Sequence, residues 1–89
     1  MSEWVIRRTD TFLKHLRKLR HHQDLLQELD KKIHHLKEDP EKIGGFLAGS
    51  LHGSKATRLT GKYRLIFTTD GKNRIVYLIA LDHRGRVYE

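Results

Sequence analysis

The sequence predicts an α+β fold: an N-terminal strand, a two-helix hairpin, then an antiparallel β-sheet with the helices packed on one face. Three observations predict it. Residues 12–36 carry apolar positions at three- and four-residue spacing, residues 56–81 change to β-branched and aromatic runs broken by Gly61 and Asp70-Gly71, and a short β-type run precedes both. The apolar stripes of the helices need a partner surface, and the β-rich second half is the candidate that the chain offers.

Trp4-Val5-Ile6, flanked by Arg7 and Arg8, forms the first strand, and Thr9 or Asp10 can cap the helix that follows. In that helix Phe12, Leu13, Leu16 and Leu19 recur on one side, while Lys14, His15, Arg17, Lys18 and Arg20 fill the other. The phase of the pattern breaks at His21-His22, which marks a turn. Leu25, Leu26, Leu29, Ile33 and Leu36 then make a second stripe that ends by Pro40. Residues 41–55 hold Gly44, Gly45, Gly49 and Gly53 with Phe46, Leu47 and Leu51 between them, a connection with a few apolar anchors. Its glycine spacing fits neither the phosphate-binding loop nor the dinucleotide fingerprint.

Residues 56–60 and 63–69 form a hairpin. If Thr60-Gly61-Lys62 is the loop, with glycine in the left-handed position, Leu59 faces Tyr63 and Arg58 faces Arg64. Leu59, Tyr63, Leu65 and Phe67 then point to the helices, and Arg58, Lys62, Arg64 and Thr68 point away. Asp70-Gly71 signals a second hairpin, and residues 74–81, apolar on both faces, read as an interior strand. That strand lies under the helices on one side and floors a concave surface on the other. Residues 83–88 supply a basic, aromatic tail with His83, Arg84, Arg86 and Tyr88.

Eighty-nine residues suit one domain, 1–89, with a single modest core. The excess of 18 Lys+Arg over 11 Asp+Glu, a formal charge of +7, favours a polyanionic partner, nucleic acid or an acidic protein. Without cysteine there is no disulfide framework and no thiolate metal site. No apolar run approaches the ~20 residues that cross a bilayer, and the first eight residues lack a signal-peptide stretch, so the expectation is a cytoplasmic protein without a membrane partner.

Two arginines opposed across a hairpin repel each other, and an anion between them relieves the repulsion. Arginine suits that task because its planar fork binds phosphate oxygens bidentately and stays charged. The same pair also reads as two solvated surface arginines. His83 beside Arg84, just past the long apolar strand where a side chain can reach the rim of the open face, suits general acid–base work or an ordinary turn; Tyr88 suits stacking on a base or closing the edge of the core. His21, His22, His34 and His35 do not make a metal site, because adjacent helical side chains diverge by about 100°. No cofactor is expected.

Phe46-Leu47-Ala48-Gly49-Ser50-Leu51, then Arg58-Leu59-Thr60-Gly61-Lys62-Tyr63-Arg64-Leu65-Ile66-Phe67, then Asp82-His83-Arg84-Gly85-Arg86-Val87-Tyr88 resemble the RelE/ParE superfamily of type II toxins. The strand–helix–helix–strands layout is similar as well, so the resemblance covers essentially the whole chain. The resemblance implies the RelE-like fold, a cognate antitoxin bound in a hetero-oligomer, and cleavage of mRNA in the ribosomal A site. In that chemistry the 2′-hydroxyl attacks the adjacent phosphate, with a base, a proton donor for the leaving oxygen and cations on the phosphorane. Carried over by position, Arg64 stabilises phosphate charge, Arg58 matches a basic residue on the preceding strand, Arg84 protonates or stabilises the leaving group, and Tyr88 stacks on or assists the reacting nucleotide. His83 stands where the family often has histidine. Lys55, Lys62 and Arg86, with Lys14, Arg17 and Lys18 of the first helix, are the expected contacts to RNA and 16S rRNA. Ala56 and Thr57 stand where a second basic residue of that strand would be. A ParE-like gyrase inhibitor, of the same fold and without nuclease activity, is the alternative; a non-catalytic basic binding module is a third. The cluster of Arg58, Arg64, Arg84 and Tyr88 favours the ribonuclease.

Overall fold

A computed structural model describes residues 3–47 and 53–83. Thr9 sets the start of the chain in place. Its hydroxyl accepts from the Phe12 amide at 3.2 Å, capping helix α1 (Asp10–Lys18), and donates to the Leu78 carbonyl at 2.8 Å. One side chain therefore ends strand β1 (Val5–Arg8), begins the helix and fastens both to strand β5 (Ile75–His83). Helix α2 (Gln23–Glu38) follows the His21-His22 turn and buries Leu25, Leu29, Ile33 and Leu36 of the predicted stripe, with Leu26 half-buried beside them.

Strands β2 (Gly45–Phe46), β3 (Lys55–Arg58) and β4 (Tyr63–Asp70) complete a five-stranded sheet in the order β1-β5-β4-β3-β2. The helices lie on one face, as expected, and β5 is interior. The sheet is mixed, because β1 joins β5 in parallel while the other pairs are antiparallel. The core forms where the two apolar stripes meet Trp4, Leu65, Phe67, Val76, Leu78 and Leu81.

The β3–β4 hairpin has the predicted register. Arg58 pairs with Arg64, the Leu59 amide donates to the Tyr63 carbonyl at 3.0 Å, and Gly61 takes φ +57°, a value that side chains resist. At the β4–β5 hairpin Asp70 does the work expected of the Asp-Gly pair through its carboxylate. Oδ1 accepts from the Lys72 and Asn73 amides at 3.1 Å, and Oδ2 accepts from the Asn73 side chain at 2.8 Å. The Asn73 side-chain bond, then its backbone bond, holds this carboxyl below its ordinary range.

Between Leu78 and Ala80 the register slips. Ile66 pairs with Ala80 but Phe67 pairs with Leu78, so Ile79 is an extra residue in β5, a β-bulge. Strict alternation from Val76 and Leu78 would send Ala80 and Asp82 toward the helices. The bulge reverses the phase, so that Leu81 enters the core and Asp82 turns to the open face.

The connection before β3 contains more structure than its glycines suggest. Pro40–Lys42 forms a 3₁₀ turn, and β2 pairs with β3 through Gly45 and Phe46. Lys55 corrects the expectation of an RNA contact: it faces the helix side, opposite Phe67. Its side chain is buried, 5% exposed, and its ammonium donates to the carbonyls of Pro40 and Glu41 at 3.3 and 3.1 Å. A buried cation must be hydrogen-bonded, and these carbonyls meet that need while fixing the 3₁₀ turn against the sheet. Lys55 is thus a structural residue and does not offer its charge to RNA.

Candidate functional site

Across the open face of the sheet, Arg58, Arg64 and Asp82 stand in a row on β3, β4 and β5. The Arg64 Nε donates to Asp82 Oδ2 at 2.9 Å, with side chains 29% and 13% exposed. Arg64 is therefore flanked by a like charge on one strand and an opposite charge on the next. Arg58, Lys62 and Arg64 line a cleft of about 390 Å³ at the tip of the β3–β4 hairpin. Three cations around one cavity raise the local concentration of anions and give a phosphate several donors to meet.

Around the end of the sheet lies a second cleft of about 530 Å³, lined by His15, Lys18, Leu19, Tyr63, Leu81, Asp82 and His83. Tyr63 borders both cavities. Its ring meets His83 edge-on at 4.9 Å and His22 at 5.7 Å. His15 is held by the strand beneath it: its Nδ1 accepts from the Leu81 amide at 3.2 Å, which leaves the ring proton of the neutral form on Nε2. His83 pairs with Tyr63 and so lies on the helix side. It had been expected to reach the rim of the open face, and the bulge at Ile79 is the reason that it does not.

Of the predicted residues, the structure gathers Arg58, Lys62 and Arg64 in one cleft and places Lys18 with His83 in the other. Lys14 and Arg17 are exposed on α1, on the helix side of the sheet. Arg84, Arg86 and Tyr88 lie outside the described residues, as do Ala48, Gly49, Ser50 and Leu51 of the first resembling segment. Asp82, Tyr63 and His15 were missed. Tyr63 had been read as a core residue from its parity, and His15 as one polar position among several; no local signal marks either as bordering a cleft. Among the described residues no group of His, Asp or Glu could hold a metal ion, and no helix is long and apolar enough to cross a membrane.

Residues 6–88 match the family model of the ParE toxin of the type II toxin–antitoxin system parDE. The chain belongs to that family, within the RelE/ParE superfamily. It is a type II toxin by descent, and its solved relatives agree. The toxin–antitoxin complex RelBE2 from Mycobacterium tuberculosis matches at 28% identity and a TM-score of 0.77, over 97% of each chain. The archaeal RelE–RelB complex from Pyrococcus horikoshii OT3 matches at 26% identity and a TM-score of 0.62, over 98% of this chain and 100% of that one. A YoeB/ParE toxin from Agrobacterium tumefaciens, at 16% identity and a TM-score of 0.76 over 89% of this chain and 96% of that one, shares the fold. A sequence search of curated proteins finds no match. The RelE/ParE fold thus carries the Arg58–Arg64–Asp82 row on the sheet face that its helices leave open.

Proposed function

We propose that this toxin is a ribosome-dependent endoribonuclease that cleaves mRNA in the A site and so stops translation. The observation that carries the reading is the Arg58–Arg64 cross-strand pair around a cleft completed by Lys62. During cleavage the 2′-oxygen bonds to phosphorus, the bond from phosphorus to the 5′-oxygen breaks, and negative charge gathers on the non-bridging oxygens. Fixed guanidinium groups beside that charge stabilise the transition state more than the ground state. The 2′-hydroxyl must lose its proton and the leaving 5′-oxygen must gain one. We assign this transfer to Arg84 and Tyr88, which follow β5 in the sequence; His83, on the helix side, borders the second cleft instead. Lys62, Lys18, Lys14, Arg17 and Arg86 supply contacts to the RNA and rRNA backbone.

The test is primer extension on mRNA from cells induced for the toxin, and on purified translating ribosomes. Cuts within codons that depend on translation are expected. Arg64→Ala should lower the cleavage rate by on the order of 10²–10³-fold with the fold retained; full toxicity in that variant refutes the role of Arg64. The match to the ParE toxin family favours a second reading, inhibition of DNA gyrase without nuclease activity. DNA breaks with intact mRNA would establish it. In either case the partner is a cognate antitoxin, which the toxin–antitoxin complexes among the solved relatives support. An acidic, amphipathic segment would complement the +7 charge.

A further inference from the structure

We infer that Asp82 is a positioning residue for Arg64 and, at the same time, a brake on anion binding. The inference rests on the reading of Arg64 as a phosphate-binding group. Arg64 is the middle member of a three-strand row whose other two members have opposite signs. Left to Arg58 alone, the Arg64 guanidinium would swing away from its neighbour, since like charges opposed across strands repel. The 2.9 Å bond from Nε to Asp82 Oδ2 counters that repulsion and fixes the plane of the fork. A guanidinium held through Nε presents the same orientation to every incoming phosphate, and catalysis gains from such fixed dipoles.

The same carboxylate puts a negative charge where the phosphate must arrive. Asp82 is largely buried, 13% exposed, so solvent screens it poorly, and it borders the second cleft beside His15, Lys18 and His83. Asp82 therefore lines one cavity and is bonded to Arg64, which lines the other. Its charge lowers the affinity of the arginine cleft for anions in general, while its hydrogen bond sharpens what Arg64 does for the anion that reacts. These effects oppose each other, and removing the charge separates them.

The test compares wild type with Asp82→Asn, nearly identical in shape. Binding of an unstructured single-stranded oligoribonucleotide is measured across salt concentrations, and kcat and KM are measured for A-site cleavage. Asp82→Asn is expected to bind the oligoribonucleotide several-fold more tightly, with a log–log salt slope steeper by about 0.7, one additional phosphate contact. KM should fall, and kcat should fall about tenfold. A purely structural role would weaken affinity and turnover together, which overturns the inference; so does a variant within twofold of wild type in both. Should Asp82→Asn not fold, the Arg64 Nε–H resonance of the ¹⁵N-labelled wild-type chain is followed while inorganic phosphate is added. A slowly exchanging Nε–H whose resonance shifts as phosphate binds while its exchange stays slow supports the inference; exchange that quickens as phosphate displaces Asp82, or a resonance that phosphate never perturbs, refutes it. Neither the oligoribonucleotide nor the resonance measurement requires cleavage. A wild-type chain that binds RNA without cutting mRNA would therefore refute the proposed activity and leave Asp82 still decided.

Discussion

Replacing Thr9 with valine keeps the shape of the side chain and removes its hydroxyl, which accepts one hydrogen bond and shares its proton between two carbonyls. It caps α1 through the Phe12 amide, and it donates to the carbonyls of Leu78 at 2.8 Å and of Ile79, the bulge residue, at 3.2 Å. Loss of the cap costs about 1 kcal/mol, and loss of a partly buried hydrogen bond costs about 1 kcal/mol more. The Leu78 carbonyl still accepts from the Thr9 backbone amide at 3.1 Å, so no acceptor is stranded there and the sum stays near these two contributions. About 2 kcal/mol in a domain of this size lowers the melting temperature by about 8–16 °C. Thermal and urea denaturation followed by circular dichroism measure it, with Thr9→Ser as the control that keeps the hydroxyl. A Thr9→Val variant melting within two or three degrees of wild type, or a serine variant as unstable as the valine one, refutes the reasoning.

Gly44→Ala should destabilise the fold by about 2–4 kcal/mol, combining a left-handed backbone with an overpacked contact: Gly44 has φ +75°, and an added Cβ would meet the Ala56 carbonyl oxygen at 2.6 Å. Urea unfolding tests it. Lys55→Met should lose about 1–3 kcal/mol of stability by removing the two hydrogen bonds of a buried ammonium, while leaving the salt slope of RNA binding unchanged; a slope reduced by one phosphate would return Lys55 to the interface. For Asp70, the folded state holds the carboxyl below its unfolded value, so its contribution is present above the ordinary carboxylate range and is lost as pH falls through the lowered one. The gap in stability between wild type and Asp70→Ala should therefore be constant near neutrality and close below pH ~4. A gap that instead widened in acid would show the sign to be wrong.

The β3–β4 register was legible because three constraints agreed: a glycine suited to positive φ, apolar residues at Leu59, Tyr63, Leu65 and Phe67, and charged ones at Arg58 and Arg64. The helices were legible for a similar reason, since Leu25, Leu29, Ile33 and Leu36 repeat without interruption. Lys55 was misplaced because a lysine on a strand of basic sequence is ordinarily exposed; the carbonyls that bury it belong to a 3₁₀ turn 14 and 15 residues away. β2 was missed because two residues cannot show a period. His83 was expected at the rim of the open face, and Asp82 was given no face at all. In the run from Ile75 to Leu81 nearly every side chain is apolar, so the sequence gives no sign of where the count skips.

That skipped residue acts as a phase shifter. Upstream of Ile79, β5 is read in one frame, set by the core; downstream it is read in the other, which hands Asp82 to Arg64 and His83 to Tyr63. The core and the charged row are thus encoded in different frames of one strand, joined by the one residue that the ladder leaves out. Deleting Ile79 would close the bulge and merge the two frames, with Asp82 still opposite Arg64 and His83 still opposite Tyr63. Pairing Ile79 in register would instead put the carboxylate under α1 and carry the imidazole round to the arginines, so the polar face depends on a residue that pairs with nothing across the strand.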